Sequence, residues 1–343
     1  MKSKVNWDLV DSLIKSGDDA SYVKPYGFPE FLNCKESVFA PGVELQPKWD
    51  IPKEVAICTA ITGAMNSKNT NPSHPITVEE IRGEALECCE AGAANVHIHV
   101  RDDIGMNVLD VDRFHQVIDP IKSKYPDVLV CGCAVPVFPG DFSKMEEVLK
   151  EGLFDQTPVN TVATYLGDSL FCKMPQIMIK KAELCEKYDV KPQIAVYSDG
   201  DIDNARRFLI NTDVLSKPYY WILLLGLVGC SPMYSSLSMV DTLVGYVRRI
   251  REIDLDSKIM VVSGGRASSH LTTLAMLLGL DVRVGKEDTI WKYPHSDELI
   301  MRNVDIYKET VQLARLMGRE PATPSEYIKK FGLRRHGGKV IGK

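Results

Sequence analysis

The chain has 343 residues, 45% of them hydrophobic and 25% charged, the proportions of an ordinary globular protein and not of a disordered one. Its 41 Lys and Arg against 46 Asp and Glu leave a net charge of −5, which excludes the basic stripe that a nucleic-acid-binding surface needs. The length fits one large domain or two average ones, with room for a sizeable core.

No apolar run approaches the roughly 20 residues of a membrane-spanning helix; the densest, from Tyr219 to Gly229, is too short. The opening MKSKVNWDLVDSLIKSGDD lacks the apolar centre of a secretory signal. The nine cysteines are odd in number, have no paired CxxC spacing, and lie mostly in apolar segments, as at Cys58, Cys131 and Cys133. That usage suits reduced thiols. The expectation is a cytoplasmic, enzyme-sized protein with neither membrane nor nucleic acid as a partner.

Residues 1–50 come first, as an N-terminal extension. They hold one amphipathic piece, Trp7–Lys15, then a Pro/Phe/Tyr-rich stretch without periodicity, expected to wrap the surface or to serve as an arm or lid. From there, short apolar runs alternate with helical patterns. The runs are Val55–Ile61, Asn95–Val100, Val128–Cys133, Thr157–Ala163, Pro192–Tyr197, Tyr219–Gly226, Lys258–Ser263 and Asp281–Gly285. The helix patterns are Thr77–Ala91, Val111–Lys124, Phe142–Glu151, Pro175–Tyr188, Asp201–Asn211, Val240–Ile253, Ser268–Leu278 and Asp297–Met317. Thr77 with Glu80 reads as a capping box, and Gly92 as a helix stop. Nearly uniform apolar runs mark strands covered on both faces. Eight strand–helix units over roughly 250 residues predict an α/β fold, a (β/α)8 TIM barrel over residues 51–320, with a doubly wound open sheet as the alternative. Residues 321–343 read as a short capped helix, Pro324 to Lys330, and a basic tail.

The sharpest local feature is Asn95-Val-His97-Ile-His99-Val-Arg101-Asp102-Asp103. In a strand, His97 and His99 project from one face, at the end where barrel enzymes build their sites. Two imidazoles so placed can chelate a borderline metal such as zinc, iron or cobalt fitting nearly as well, with a third ligand from elsewhere. Barrel closure brings the eighth strand beside the first, where Arg283-Val-Gly285-Lys-Glu287-Asp288 is found. If that strand continues, Glu287 reaches the mouth with Arg283 beneath it. Asp288 is then a base, the partner of Arg283, or part of a solvated loop. Ser263-Gly264-Gly265-Arg266 leads into a helix and could offer N–H groups and a charge to an anion, or simply start the helix well. Gly226–Gly229 is a second, weaker turn of this kind. Cys133 ends the third strand, as a pocket wall or a nucleophile. No P-loop, GxGxxG or GxSxG occurs, which argues against nucleotide hydrolysis, ordinary NAD chemistry and serine hydrolysis.

These residues resemble a known family. Ala60-Ile-Thr-Gly-Ala64 with Pro75-Ile-Thr77, Glu90-Ala-Gly92-Ala, His97-x-His99-x-Arg101-Asp102, Gly265-Arg266, Arg283-Val-Gly285-x-Glu287-Asp288 and Ala322-Thr-Pro324 look like the β-keto acid cleavage enzymes, zinc-dependent relatives of 3-keto-5-aminohexanoate cleavage enzyme. The resemblance runs from about residue 55 to 333. It implies a barrel in homo-oligomers, a dimer of dimers among them, with Zn2+ on His97, His99 and Glu287. It also implies that a β-keto acid and acetyl-CoA are exchanged into acetoacetate and a new acyl-CoA, with Arg283 and Asp288 assisting proton transfer and charge stabilisation. Met65, Cys133, Asn160 and Arg266 are then the candidate substrate contacts.

The chain departs from the founding activity at Met65 in place of a glutamate, Cys133 for a serine, Pro158 for a threonine, and Ala195 and Ser198 for two glutamates; Asn160 is kept. The 50-residue extension is extra. Fewer pocket carboxylates point to a non-cationic keto acid. Two other readings share the same residues: a zinc-dependent aldolase or hydrolase acting without CoA, and a non-catalytic sensor of a keto acid or CoA ester.

Overall fold

Eight strands form where the eight apolar runs predict them. They are β1 (Ile57–Ala60), β2 (Asn95–Ile98), β3 (Leu129–Gly132), β4 (Gln156–Asn160), β5 (Lys191–Val196), β6 (Tyr220–Leu225), β7 (Lys258–Ser263) and β8 (Asp281–Val284). Each pairs in parallel with the next, and β8 pairs with β1. The open-sheet alternative is therefore excluded: this computed structural model is a closed (β/α)8 barrel. It describes residues 3–16, 35–231 and 233–334.

The chain divides into two compact units, Met1–Ile51 and Pro52–Lys343. Within the first, α1 (Trp7–Lys15) is capped by Asn6, and Glu36 bridges Glu44 in antiparallel fashion. None of the residues of α1 is buried. Much of the unpatterned stretch expected to wrap the surface, residues 17–34, lies outside the described residues, as does the basic tail from 335 onward. No helix among the described residues is long and apolar enough to cross a membrane.

The barrel helices are α2 (Val78–Glu90), α3 (Val111–Lys124), α4 (Asp141–Lys150), α5 (Pro175–Lys187), α6 (Asp199–Ala205), α7 (Ser236–Ile253), α8 (Ser268–Leu277) and α9 (Asn303–Leu316). The Thr77 capping box is formed, with Glu80 returning its side chain to the Thr77 N–H. Three helices differ from their patterns. α7 begins at Ser236 and not at Val240, behind a capping box between Ser235 and Ser238. The sixth ends as a π turn, Arg206–Ile210. The last begins at Asn303 and not at Asp297, because Ile300 N donates to Ile290 O and Ile300 O accepts from Asn71, so this backbone is spent outside a helix.

Strand alternation sorts the core into two parts. Outward residues such as Ile57, Val96, Val130, Trp221 and Val282 pack under the helices. Inward residues are more polar than the uniform runs imply: Asn95, His97, Gln156, Gln193 and Arg283 are all buried. The floor of the barrel is closed by α10 (Pro324–Phe331), whose Tyr327 and Phe331 are fully buried, Phe331 lying 4.0 Å from the Tyr220 ring. Burying an aromatic side chain of that size contributes about 2–3 kcal/mol. A short helix with a capping box at Thr323 and a left-handed Gly332 thus becomes part of the barrel core.

Candidate metal centre

His97 lies on β2 and His99 directly after it, two residues apart on one face, with ring centroids 5.1 Å apart. Both are buried. Glu287 arrives from the loop after β8. Its Oε2 is 3.3 Å from His97 Nε2 and its Oε1 is 3.2 Å from His99 Nε2. One ligand atom from each of the three residues falls within 4.8 Å of the others. Glu287 Oε2 is buried and has no hydrogen-bond partner, a costly arrangement for a carboxylate unless a cation completes it. Two imidazole nitrogens and a carboxylate, with further positions open, form the donor set of a catalytic zinc or similar ion.

The other ring nitrogens are engaged. His99 Nδ1 is 2.6 Å from Asn107 Oδ1, and His97 Nδ1 is 2.8 Å from Cys131 Sγ. Each contact turns Nε2 toward the triad. Asn107 sits in a two-stranded antiparallel piece with Val100–Arg101, turned through Gly105. Burial lowers the pKa of His97 to about 4, leaving it a neutral imidazole.

Arg283, on β8, lies beneath the triad. Its Nε and one Nη reach both oxygens of Asp288 at 2.9 and 2.6 Å, and that Nη also reaches Glu287 Oε1 at 2.7 Å. Burial opposes ionisation of Glu287, but Arg283 and the two histidines hold its carboxyl well below the usual range. Burial, reinforced by the Glu287 charge, pushes Asp288 up to about 6 against the pull of Arg283.

The strand does not continue to Glu287 as the alternation argument supposed. It ends at Val284, and Gly285 takes φ +137°, where a Cβ would stand 2.1 Å from Ala60 O. The turn that follows brings both Glu287 and Asp288 onto Arg283; continued alternation would place them on opposite faces.

Among the candidate substrate contacts, Asn160 ends β4 and donates through Nδ2 to Tyr197 Oη at 2.9 Å. Cys133 is buried and interacts electrostatically with His99. Met65 is half-exposed beside Asn66, whose amide donates to the carbonyls of Lys286 and Glu287 at 3.1 and 3.2 Å. Arg266 lies over the Trp291 ring and spends its guanidinium on Ser296 O and Asp297. The N–H groups of Gly264 and Gly265, read either as an anion site or as a plain helix start, donate to Leu225 O and Asp288 O.

Sequence reasoning did not reach Asn107, Cys131 or Tyr197. The turn signal at Gly105 bears on Asn107; nothing local marks the other two.

The family model described as beta-keto acid cleavage enzyme matches residues 54–333. The 3-keto-5-aminohexanoate cleavage enzyme of Fusobacterium nucleatum is 30% identical over 288 residues, 82% of this chain and 99% of that one. The 3-dehydrocarnitine:acetyl-CoA trimethylamine transferase of Rhizobium meliloti is 26% identical over 305 residues, covering 82% and 97%. A solved binary complex of ObcA with oxaloacetate superposes with a TM-score of 0.66 at 20% identity, over 76% of this chain and 68% of that one, and has the same fold.

Proposed function

Because the chain belongs to the β-keto acid cleavage enzyme family, we propose that it exchanges a non-cationic β-keto acid and acetyl-CoA into acetoacetate and a new acyl-CoA, with zinc on His97, His99 and Glu287. The orphaned, buried Glu287 Oε2 facing His97 Nε2 carries the metal part of this reading. In such an exchange the C2–C3 bond of the keto acid and the acetyl carbon–sulfur bond of acetyl-CoA break, C2 bonds to the acetyl carbon, and the released CoA sulfur takes the C3 acyl group, with no net oxidation. A zinc ion bound there would act as a Lewis acid toward the keto acid's oxygens.

The chain's own residues supply the rest. Arg283 is a fixed, buried positive charge beside the site of enolate development, where a preorganised donor counts most. Asp288, with a pKa of about 6, can take and return a proton near neutral pH. The non-cationic substrate is supported by the side chains that gather around Cys133. Asn160 and Tyr197 are joined by a hydrogen bond, Phe171 packs edge-on to Tyr197 at 5.4 Å, and Lys173 lies over Phe171. Buried Lys181 donates to Ala134 O nearby, and both lysines act electrostatically on Cys133. The carboxylate that also acts on Cys133 and Tyr197 is Glu287, and it is already engaged by Arg283, so two cations and a committed carboxylate make a poor setting for an ammonium-bearing substrate.

The test is metal content per chain in wild type and His97→Ala, followed by turnover of anionic, neutral and amino-bearing β-keto acids with and without acetyl-CoA. About one zinc per chain, lost in the variant, with acetyl-CoA-dependent formation of acetoacetate, is the expected result. Metal in neither protein, or turnover that ignores acetyl-CoA, overturns the reading, and an amino-bearing acid as best substrate overturns the substrate class.

A further inference from the structure

A line of buried polar groups crosses the barrel interior from His97 to its floor. His97 faces Cys131, its register partner on β3, with Nδ1 and Sγ 2.8 Å apart. The Cys131 thiol donates to Gln193 Oε1 at 3.1 Å, and Gln193 Nε2 donates to Gln156 Oε1 at 3.3 Å. Gln156 Nε2 then donates to Tyr327 Oη at 3.5 Å, where Asn95 Nδ2 also donates at 2.6 Å. The Tyr327 and Tyr220 hydroxyls are 2.9 Å apart, and Tyr220 donates to Met260 Sδ at 3.2 Å. None of these residues is more than 2% exposed.

Counting hydrogens gives the line a direction. Tyr327 Oη accepts two amide hydrogens, so its own hydrogen goes to Tyr220, whose hydrogen goes to a sulfur with none to return. At the other end Cys131 has a single hydrogen and spends it on Gln193, so it meets His97 only as an acceptor. His97 Nδ1 then carries the imidazole hydrogen, and the lone pair is left on Nε2, the atom facing Glu287.

We infer that this line is a positioning relay, in which Tyr327 on α10, acting through Gln156, Gln193 and Cys131, holds His97 in the tautomer whose Nε2 binds the metal. The inference rests on the metal reading above. Cys131 is accordingly a positioning residue and not a ligand. Removing the Gln193 acceptor frees the thiol hydrogen to turn toward Nδ1, which drives the imidazole hydrogen onto Nε2 and blocks the ligand atom. A link broken in a dry interior otherwise leaves a polar group unpaired, so the relay is resolved by reversal and not by solvation.

The experiment measures zinc affinity by chelator competition and the visible spectrum of the cobalt-loaded chain. It uses wild type, Cys131→Ala, Cys131→Ser, Gln193→Met and Tyr327→Phe, with thermal unfolding to check the fold. Cys131→Ala and Gln193→Met are expected to lose about 10- to 100-fold in affinity, the usual effect of losing a group that orients a metal ligand, with an altered cobalt spectrum. Tyr327→Phe is expected to lose several-fold, although its hydroxyl lies at the barrel floor. Cys131→Ser, which can still accept and donate, is expected to recover most of the affinity. Variants that unfold at lower temperature yet keep wild-type affinity and spectrum would overturn the relay, leaving the line a packing device only. Should Gln193→Met not fold, the comparison of Ala with Ser at position 131 decides. A wild-type chain that takes up no metal overturns the metal reading and the relay together.

Discussion

Gly63 and Glu287 are packed so closely that a Cβ on Gly63 would fall 2.3 Å from the Glu287 Cγ. Gly63 also holds φ +63°, and its carbonyl is pinned by Arg101 Nε at 3.0 Å. The Ile-Thr-Gly-Ala segment after β1 is therefore a brace for the Glu287 carboxylate, with the Asn66 amide holding the Glu287 carbonyl from the same loop. Gly63→Ala is expected to cost about 1–2 kcal/mol in backbone strain alone. It should weaken metal binding at least tenfold by displacing Glu287, as read by chelator competition beside thermal unfolding. Unchanged affinity would show that the carboxylate does not depend on this contact.

Arg283 holds Glu287 and Asp288 through one fork. Arg283→Met leaves two buried carboxylates without their counter-charge, and the metal-free chain should lose about 3–5 kcal/mol of unfolding free energy in urea. Arg283→Lys keeps the charge but not the planar geometry. It is expected to retain most of the stability and to lose turnover at least a hundredfold. Wild-type turnover in the lysine variant would mean that charge alone suffices.

The glycines after β6 and β7 serve a close backbone approach. Gly265 has φ +52° and room for a Cβ only 2.2 Å from Gly226 O, while a Cβ on Gly226, at φ +79°, would stand 2.6 Å from Gly264 O. Alanine at either position should destabilise the ligand-free protein by about 2 kcal/mol or more. Calorimetry without added anions checks this. A stability loss that appears only in the presence of phosphate or CoA would assign the turn to ligand binding instead.

Lys181 is buried by α5 with its ammonium on the Ala134 carbonyl, and burial lowers its pKa from 10.5 to about 8. The unfolded chain therefore binds more protons between about pH 8 and 10.5, so this residue makes stability rise with pH across that window. Below about pH 8 the buried charge carries its full penalty, roughly 3 kcal/mol from the size of the shift. Lys181→Met should raise stability near pH 7 by about 1–3 kcal/mol, and its advantage over the wild type should shrink as pH rises from about 8 to 10.5. Denaturant unfolding of both proteins at pH 7, 9 and 10 tests this, and parallel pH profiles would show that the side chain is not desolvated in solution.

Strand and helix placement was legible in the sequence because it depends on local periodicity. The apolar runs mark all eight strands to within three residues, the fourth overrunning its strand from Asn160 to Ala163, and Thr77 with Glu80 marks the start of α2. The pairing of His97 with His99 follows equally from the two-residue repeat of a strand, which holds wherever the strand is placed. Glu287 was reachable from the order of strands in a closed barrel.

What the sequence by itself determined, then, is the repeat that makes a barrel and the residue types at its mouth, since both follow from spacing along the chain. Tertiary structure alone decided which groups those residues meet. Asp288 joins Glu287 on Arg283 because β8 stops at Val284 and Gly285 turns the chain against Ala60 O. Asn107 meets His99 because the chain folds back at Gly105. Tyr327, 230 residues after His97, enters the same hydrogen-bonded line because α10 closes the barrel floor beneath β2, β4 and β6. Contacts across a barrel are set by its closure and register, and no pattern within a single strand or helix reports them.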